Sequence, residues 1–140
     1  MTGRLVLLTA FLVGAVPVAY AQAHPCDAAP TPNPSVFNPY RVGFCSDLKD
    51  LDGTPILPAD AQIRITIDST AQALRPMPTP IGTPNAAGLN YYEVPGMISV
   101  KGAHSVTVAL VTAEGEGVSL PFAFAVRGKA PKPPVPRVVQ

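Results

Sequence analysis

The chain has no tryptophan, two cysteines and two histidines, and charged residues make up only 14% of its 140 positions. Each scarcity excludes something. The two cysteines, Cys26 and Cys45, stand far outside Cys-x-x-Cys spacing, which argues against a redox pair or a metal knuckle. With Arg4 set aside as part of the leader, nine Lys and Arg face nine Asp and Glu, so no basic excess draws the protein to nucleic acid or anionic lipid. No Gly-x-Ser-x-Gly elbow and no Gly-rich phosphate loop occurs. No helical period and no internal repeat is found either. The longest apolar run, Leu5 to Val16, is about a dozen residues, whereas a membrane-spanning helix needs ~20.

That short run is itself informative. Arg4 precedes it, Pro17 ends it, and Ala19-Tyr20-Ala21 and Ala21-Gln22-Ala23 follow as two overlapping A-x-A sites. Charged start, short apolar core and small-residue end make residues 1–23 a secretory signal peptide, with cleavage after Ala21 or after Ala23. The segment is too short for an anchor, and Ala23-His24-Pro25 before Cys26 is no lipobox. The mature protein is then secreted or periplasmic, with no transmembrane segment. In that oxidising setting the cysteine pair reads as a disulfide, Cys26–Cys45.

About 117 residues remain, enough for one modest core. The 18 prolines suit turns and sheet edges and do not suit long helices. Residues 25–39 form a proline-rich, extended lead-in. Tyr40, Val42 and Phe44 alternate with polar or small neighbours, and Ile63, Ile65 and Ile67 do so again; both are half-buried strands. Cys45 has the parity opposite the apolar side chains, which puts the disulfide on the outer face or edge of its strand. Asp47 to Pro58 is a turn region. Residues 75–88 read as a long loop, and Leu89 to Val94 and Met97 to Val100 as two short strands broken at Pro95-Gly96. His104, Val106, Val108 and Leu110 share one strand face. Gly115-Glu116-Gly117 reads as a tight turn leading into Val118–Val126, where Pro121 marks an edge or bulge. The expected architecture is all-β, an antiparallel β-sandwich of about seven strands over residues 24–128, followed by a proline-rich tail at 129–140.

The stretch Gly102 to Ser119 resembles the last hairpin of fibronectin type III and other immunoglobulin-like domains. The matching positions are His104, Val106, Val108, Leu110, Thr112 and Gly115; the tyrosine and asparagine usual in that pattern are replaced. The resemblance implies a spacer or binding module without catalysis, and with the export signal the expectation is a binding or structural module that presents its loops or sheet face to a protein or glycan partner.

Three groups of residues carry the candidate chemistry. Tyr91 and Tyr92 are adjacent on a strand, so one points outward and is a possible ligand contact. Asp47, Asp50 and Asp52 precede Gly53 without the spacing of a calcium loop, and read as a turn. His104, on an apolar parity, reads as a core or edge histidine that burial would keep neutral. The alternative to a plain binding module is a copper protein. Cleavage after Ala23 would free His24 as an N-terminal histidine, whose amine and imidazole, with His104, would hold copper. This resembles the copper-resistance carriers and the lytic polysaccharide monooxygenases, although the carriers' downstream Asp-x-His pair is missing between Thr112 and Val118. No catalytic set is assembled in the sequence, and the chain is not expected to be an enzyme.

Overall fold

The computed structural model describes residues 22–140, so the signal-peptide expectation lies outside the described residues except for Gln22 and Ala23. Among the described residues nine strands form: β1 (Ser35–Asn38), β2 (Tyr40–Ser46), β3 (Gln62–Ile67), β4 (Thr70–Ala71), β5 (Arg75–Pro76), β6 (Asn90–Met97), β7 (Gly102–Thr112), β8 (Gly115–Val118) and β9 (Phe122–Lys129). The only helical turn among the described residues is a three-residue 3-10 segment, Pro58–Asp60. Among the described residues no helix is long and apolar enough to cross a membrane.

Two sheets share the strands. β2 and β6 pair antiparallel as one. The other runs β1-β9-β7-β3-β4, with β5 added to β3 and β8 to β7. Every pair is antiparallel except β1 with β9, which is parallel. The sheets bury their apolar faces against each other, as alternation along each strand requires. Tyr40, Val42, Val94 and Met97 come from one sheet, and Ile63, Ile65, Val106, Phe124 and Val126 from the other. Ile63 and Ile65 are fully buried. The Tyr40 and Phe124 rings meet across the layers at 5.2 Å. The architecture is therefore the expected all-β sandwich, with a mixed rather than wholly antiparallel larger sheet.

Three local expectations are corrected. Pro95-Gly96 does not break a strand. β6 runs through both residues, and three β6 steps (Val94 to Met97) oppose two β2 steps (Tyr40 to Val42), which is a bulge. Gly96 has the positive φ, 76°, that this needs. Gly115 to Gly117 is not a turn but part of β8: Thr112 pairs with Gly115, and Ala113-Glu114 makes the two-residue turn. The expected strand from Val118 to Val126 is two strands, interrupted at Ser119–Pro121. There the chain steps along β7: Ser119 N–H donates to Val108 O, and the Ser119 hydroxyl oxygen accepts from Val108 N–H, just before the proline.

The lead-in is not extended throughout as expected: it turns at Pro25–Asp27, where Asp27 N–H donates to His24 O, bends at Pro32-Asn33, where Asn33 takes a φ of 46°, and its end forms β1. The Pro34 carbonyl accepts from Ala125 N–H, and Ser35 then pairs beside Ala125. A cis Asn38-Pro39 bond connects β1 to β2. The Asn38 side chain closes that end by bonding both backbone groups of Ser99, at 2.7 and 3.1 Å. Asp47 to Pro58 is the plain turn expected: Asp50 Oδ1 accepts from the N–H groups of Asp52 and Thr54, and Gly53 takes a φ of 83°.

Candidate functional site

Cys26 and Cys45 are joined, and Cys45 lies on the exposed side of β2 as its parity requires. The bond holds the start of the lead-in to the far end of β2, and Pro34 ties its other end to β9. Between these anchors the lead-in carries Pro30, Pro32 and Pro34. Prolines have no N–H to give, so this segment has few donors with which to build a ladder along β2. The described residues show no backbone hydrogen bond between them. β2 therefore keeps an open edge.

The polarity of that edge follows from the far side of β6. The Tyr91 carbonyl accepts from Ile81 N–H at 2.8 Å, on the side of β6 remote from β2. In an antiparallel ladder successive residues alternate between facing the partner strand and facing away. Tyr91 and Glu93 thus face away from β2, and their opposite numbers, Cys45 and Gly43, turn their N–H and C=O groups out of the open edge. Both residues are exposed, and neither finds a backbone partner outside the sheet. Beside this edge lies a cavity of about 360 Å³ between the sheets. Val42, Phe44, Val108, Leu120 and Phe122 line it, and Pro30 and Pro34 form its rim. Leu120, in the break before β9, is 88% exposed. A row of free peptide groups beside an apolar groove is the physical description of a site that accepts an extended peptide as an added strand.

The tyrosines divide as adjacent strand residues must. Tyr91 lies on the outer face over Gly43 and donates to Glu93 Oε1 at 3.0 Å; Glu93 also pairs with Arg41 at 3.1 Å. Partial burial and the Glu93 carboxylate push the Tyr91 phenol above its ordinary range. Tyr92 is 1% exposed and stacks on Phe44 at 5.1 Å. Of the two expected ligand contacts, Tyr92 is thus corrected to a core residue, and Tyr91 alone is presented outward.

The two histidines are not brought together. His24 sits with the disulfide at the Cys45 end of β2; its Nε2 donates to Thr83 O at 2.8 Å, and its Nδ1 accepts from Cys26 N–H. His104 lies toward the Tyr40 end, against Phe124. The five residue steps from Tyr40 to Cys45 separate these levels by roughly 17 Å. Both ring nitrogens of His104 are also engaged. Nδ1 meets Asp68 Oδ2 at 2.5 Å and Nε2 meets Val100 O at 2.6 Å, both acceptors, an arrangement that favours the doubly protonated ring over a metal ligand. The copper pairing of His24 with His104 is corrected on both counts. So is the expected neutrality of His104: its hydrogen bonds to Asp68 and Val100 raise its pKa against the opposing effect of burial. Asp68 is held below its ordinary carboxylate value mainly by the same bond.

Sequence reasoning missed Asp68 because 36 positions separate it from His104; only the β3–β7 register joins them. It also missed the groove. The one available signal was the combination of a proline-rich lead-in with Pro121, two segments unable to seal a sheet edge. Matched against family models, curated proteins and solved structures, the chain is similar to none of them.

Proposed function

We propose that the protein is an exported, non-catalytic module of immunoglobulin-like, fibronectin type III-like type, which binds an extended polypeptide at the open edge of β2. The observation that carries this reading is the juxtaposition of the unpaired Gly43 and Cys45 peptide groups with the apolar groove. The strand order supports the type: a β2–β6 pair faces a larger sheet in which β9, β7 and β3 are neighbours, and β1 crosses over to run parallel to β9. The disulfide supports an oxidising compartment. A peptide fits this edge better than a glycan does, because main-chain hydrogen bonds are what it leaves unused. A glycan would instead use the Tyr91 face.

The test is binding of the processed protein to arrays of extended peptides and of glycans. Peptide binding lost in Leu120→Lys and kept in Tyr91→Ala is expected, and both side chains lie outside the main core cluster. Binding lost only in Tyr91→Ala moves the site to the outer face. Hydrolytic or metal-dependent turnover abolished by His104→Ala would overturn the non-catalytic reading.

A further inference from the structure

The tail beyond β9 is the segment whose chemistry fits this edge. Ala130 to Gln140 forms no regular secondary structure and is exposed throughout. It nevertheless ends on apolar residues: Val135, Val138 and Val139 are 79%, 98% and 88% exposed. Pro131, Pro133, Pro134 and Pro136 bar it from the middle of any sheet. They do not bar it from an edge, where only one side needs N–H groups. From Val135 onward, Val135, Arg137 and Val139 keep their N–H groups on one side, and Pro134 and Pro136 fall on the other. The segment can pair along one edge and one only.

The same parity decides which side chains reach the groove. Residues directly opposite each other on neighbouring strands point to the same face. Val135, Arg137 and Val139 would face the outward-turned groups of Gly43 and Cys45, whose side of β2 is solvent-exposed. That sets all three side chains on the outer face, Arg137 in water, and leaves Val138 as the valine turned inward. Pro134, Pro136 and Val138 would lie on the side of Val42 and Phe44, over the apolar groove.

The donor belongs to another copy. β9 ends at Lys129, beside Asn38, and the Asn38–Tyr40 connection stands between that point and the chain's own β2 edge. Gly128 is the last glycine, and Ala130 to Pro136 is stiff, proline-set chain that carries the tail about 20 Å outward at ~3.1 Å per residue. We infer that the C-terminal segment Pro134–Val139 of one copy adds as a strand to the β2 edge of the next, giving head-to-tail assembly. The inference rests on the reading of that edge as a strand-accepting site. Tail and edge are different surfaces, so the contact is heterologous and extends to open chains unless its rotation closes a ring.

Sedimentation velocity of the processed, disulfide-bonded protein over a wide concentration range tests it. The mass is expected to rise with concentration beyond that of a dimer, and truncation after Lys129 to leave a monomer. Proline substitution adds a parity test on residues that cannot unfold the domain. Arg137→Pro and Val139→Pro each remove an N–H from the pairing side and are expected to abolish assembly; Val138→Pro removes one from the free side and is expected to preserve it. A full chain that stays monomeric, assembly that survives truncation, or equal effects of the three prolines would each overturn the inference. Peptide binding at the groove by a strictly monomeric chain would overturn it too, while leaving the proposed module function standing.

Discussion

Replacing Ile65 by alanine probes the seam of the sandwich most cleanly. Ile65 is fully buried on β3, facing the opposite sheet. The substitution removes three carbons. At ~0.8 kcal/mol per buried methylene the transfer loss is about 2.4 kcal/mol. The surrounding β-sheet cannot collapse fully into the void, and the cavity left brings the cost to about 3–4 kcal/mol. For a domain of this size that lowers Tm by roughly 15–30 °C. Ile67 is the internal control: same residue, same strand face, but only half-buried at the edge of the core. Ile67→Ala is expected to cost about 1–2 kcal/mol. With no tryptophan in the chain, urea unfolding is followed by circular dichroism and tyrosine fluorescence, and an unchanged m-value shows that the unfolding reaction is the same. A cost below about 1 kcal/mol for Ile65→Ala, or equal costs at the two positions, would refute the packing scheme.

Other perturbations have equally definite outcomes. Opening the disulfide with Cys26→Ser/Cys45→Ser removes a cross-link spanning 19 positions and is expected to cost about 3 kcal/mol, read from urea midpoints. The His104–Asp68 pair makes stability pH-dependent. His104 is raised above its ordinary 6.5, so its contribution is full below that value and lost as pH climbs through the folded pKa; Asp68 is lowered from 3.8, so its contribution is full above that value and lost on acidification. Tm is therefore expected to carry a maximum from this pair between about 3.8 and 6.5, and Asp68→Asn to flatten that part of the Tm–pH curve. A curve unchanged by Asp68→Asn would show that the pair does not form. At Gly43 an added Cβ would meet the Tyr91 hydroxyl at 2.5 Å. Gly43→Ala is expected to swing that ring off β2 at a cost of about 1 kcal/mol and to return the Tyr91 phenol toward its ordinary 10.0, seen by ultraviolet titration.

What the sequence disclosed, and what it hid, follows the range of the forces involved. Alternation of apolar side chains is local, so Tyr40–Phe44, Ile63–Ile67 and His104–Leu110 announced their strands and their inward faces. The parity of Cys45 announced the outward disulfide in the same way. Turn chemistry was less secure, because glycine and proline serve bulges and strand ends as well as turns. Pro95-Gly96 became a bulge, and Gly115–Gly117 was absorbed into β8. The candidate site was the least legible. The charge on His104 depends on Asp68 across the β3–β7 register, and the separation of His24 from His104 depends on which end of β2 each one meets. The open edge is a failure of two distant proline-bearing segments to pair, and a failure to pair leaves no period in a sequence.

The open edge of β2 is the central claim, and backbone amide exchange measures it residue by residue. In the chain truncated after Lys129, the amides of Gly43 and Cys45 are expected to exchange rapidly while those of Val42 and Phe44, turned toward β6, are protected. In the full chain at assembling concentrations Gly43 and Cys45 are expected to become protected as well. Equal protection of all four amides in the truncated chain would mean that β2 is already paired on both sides, and would contradict the account.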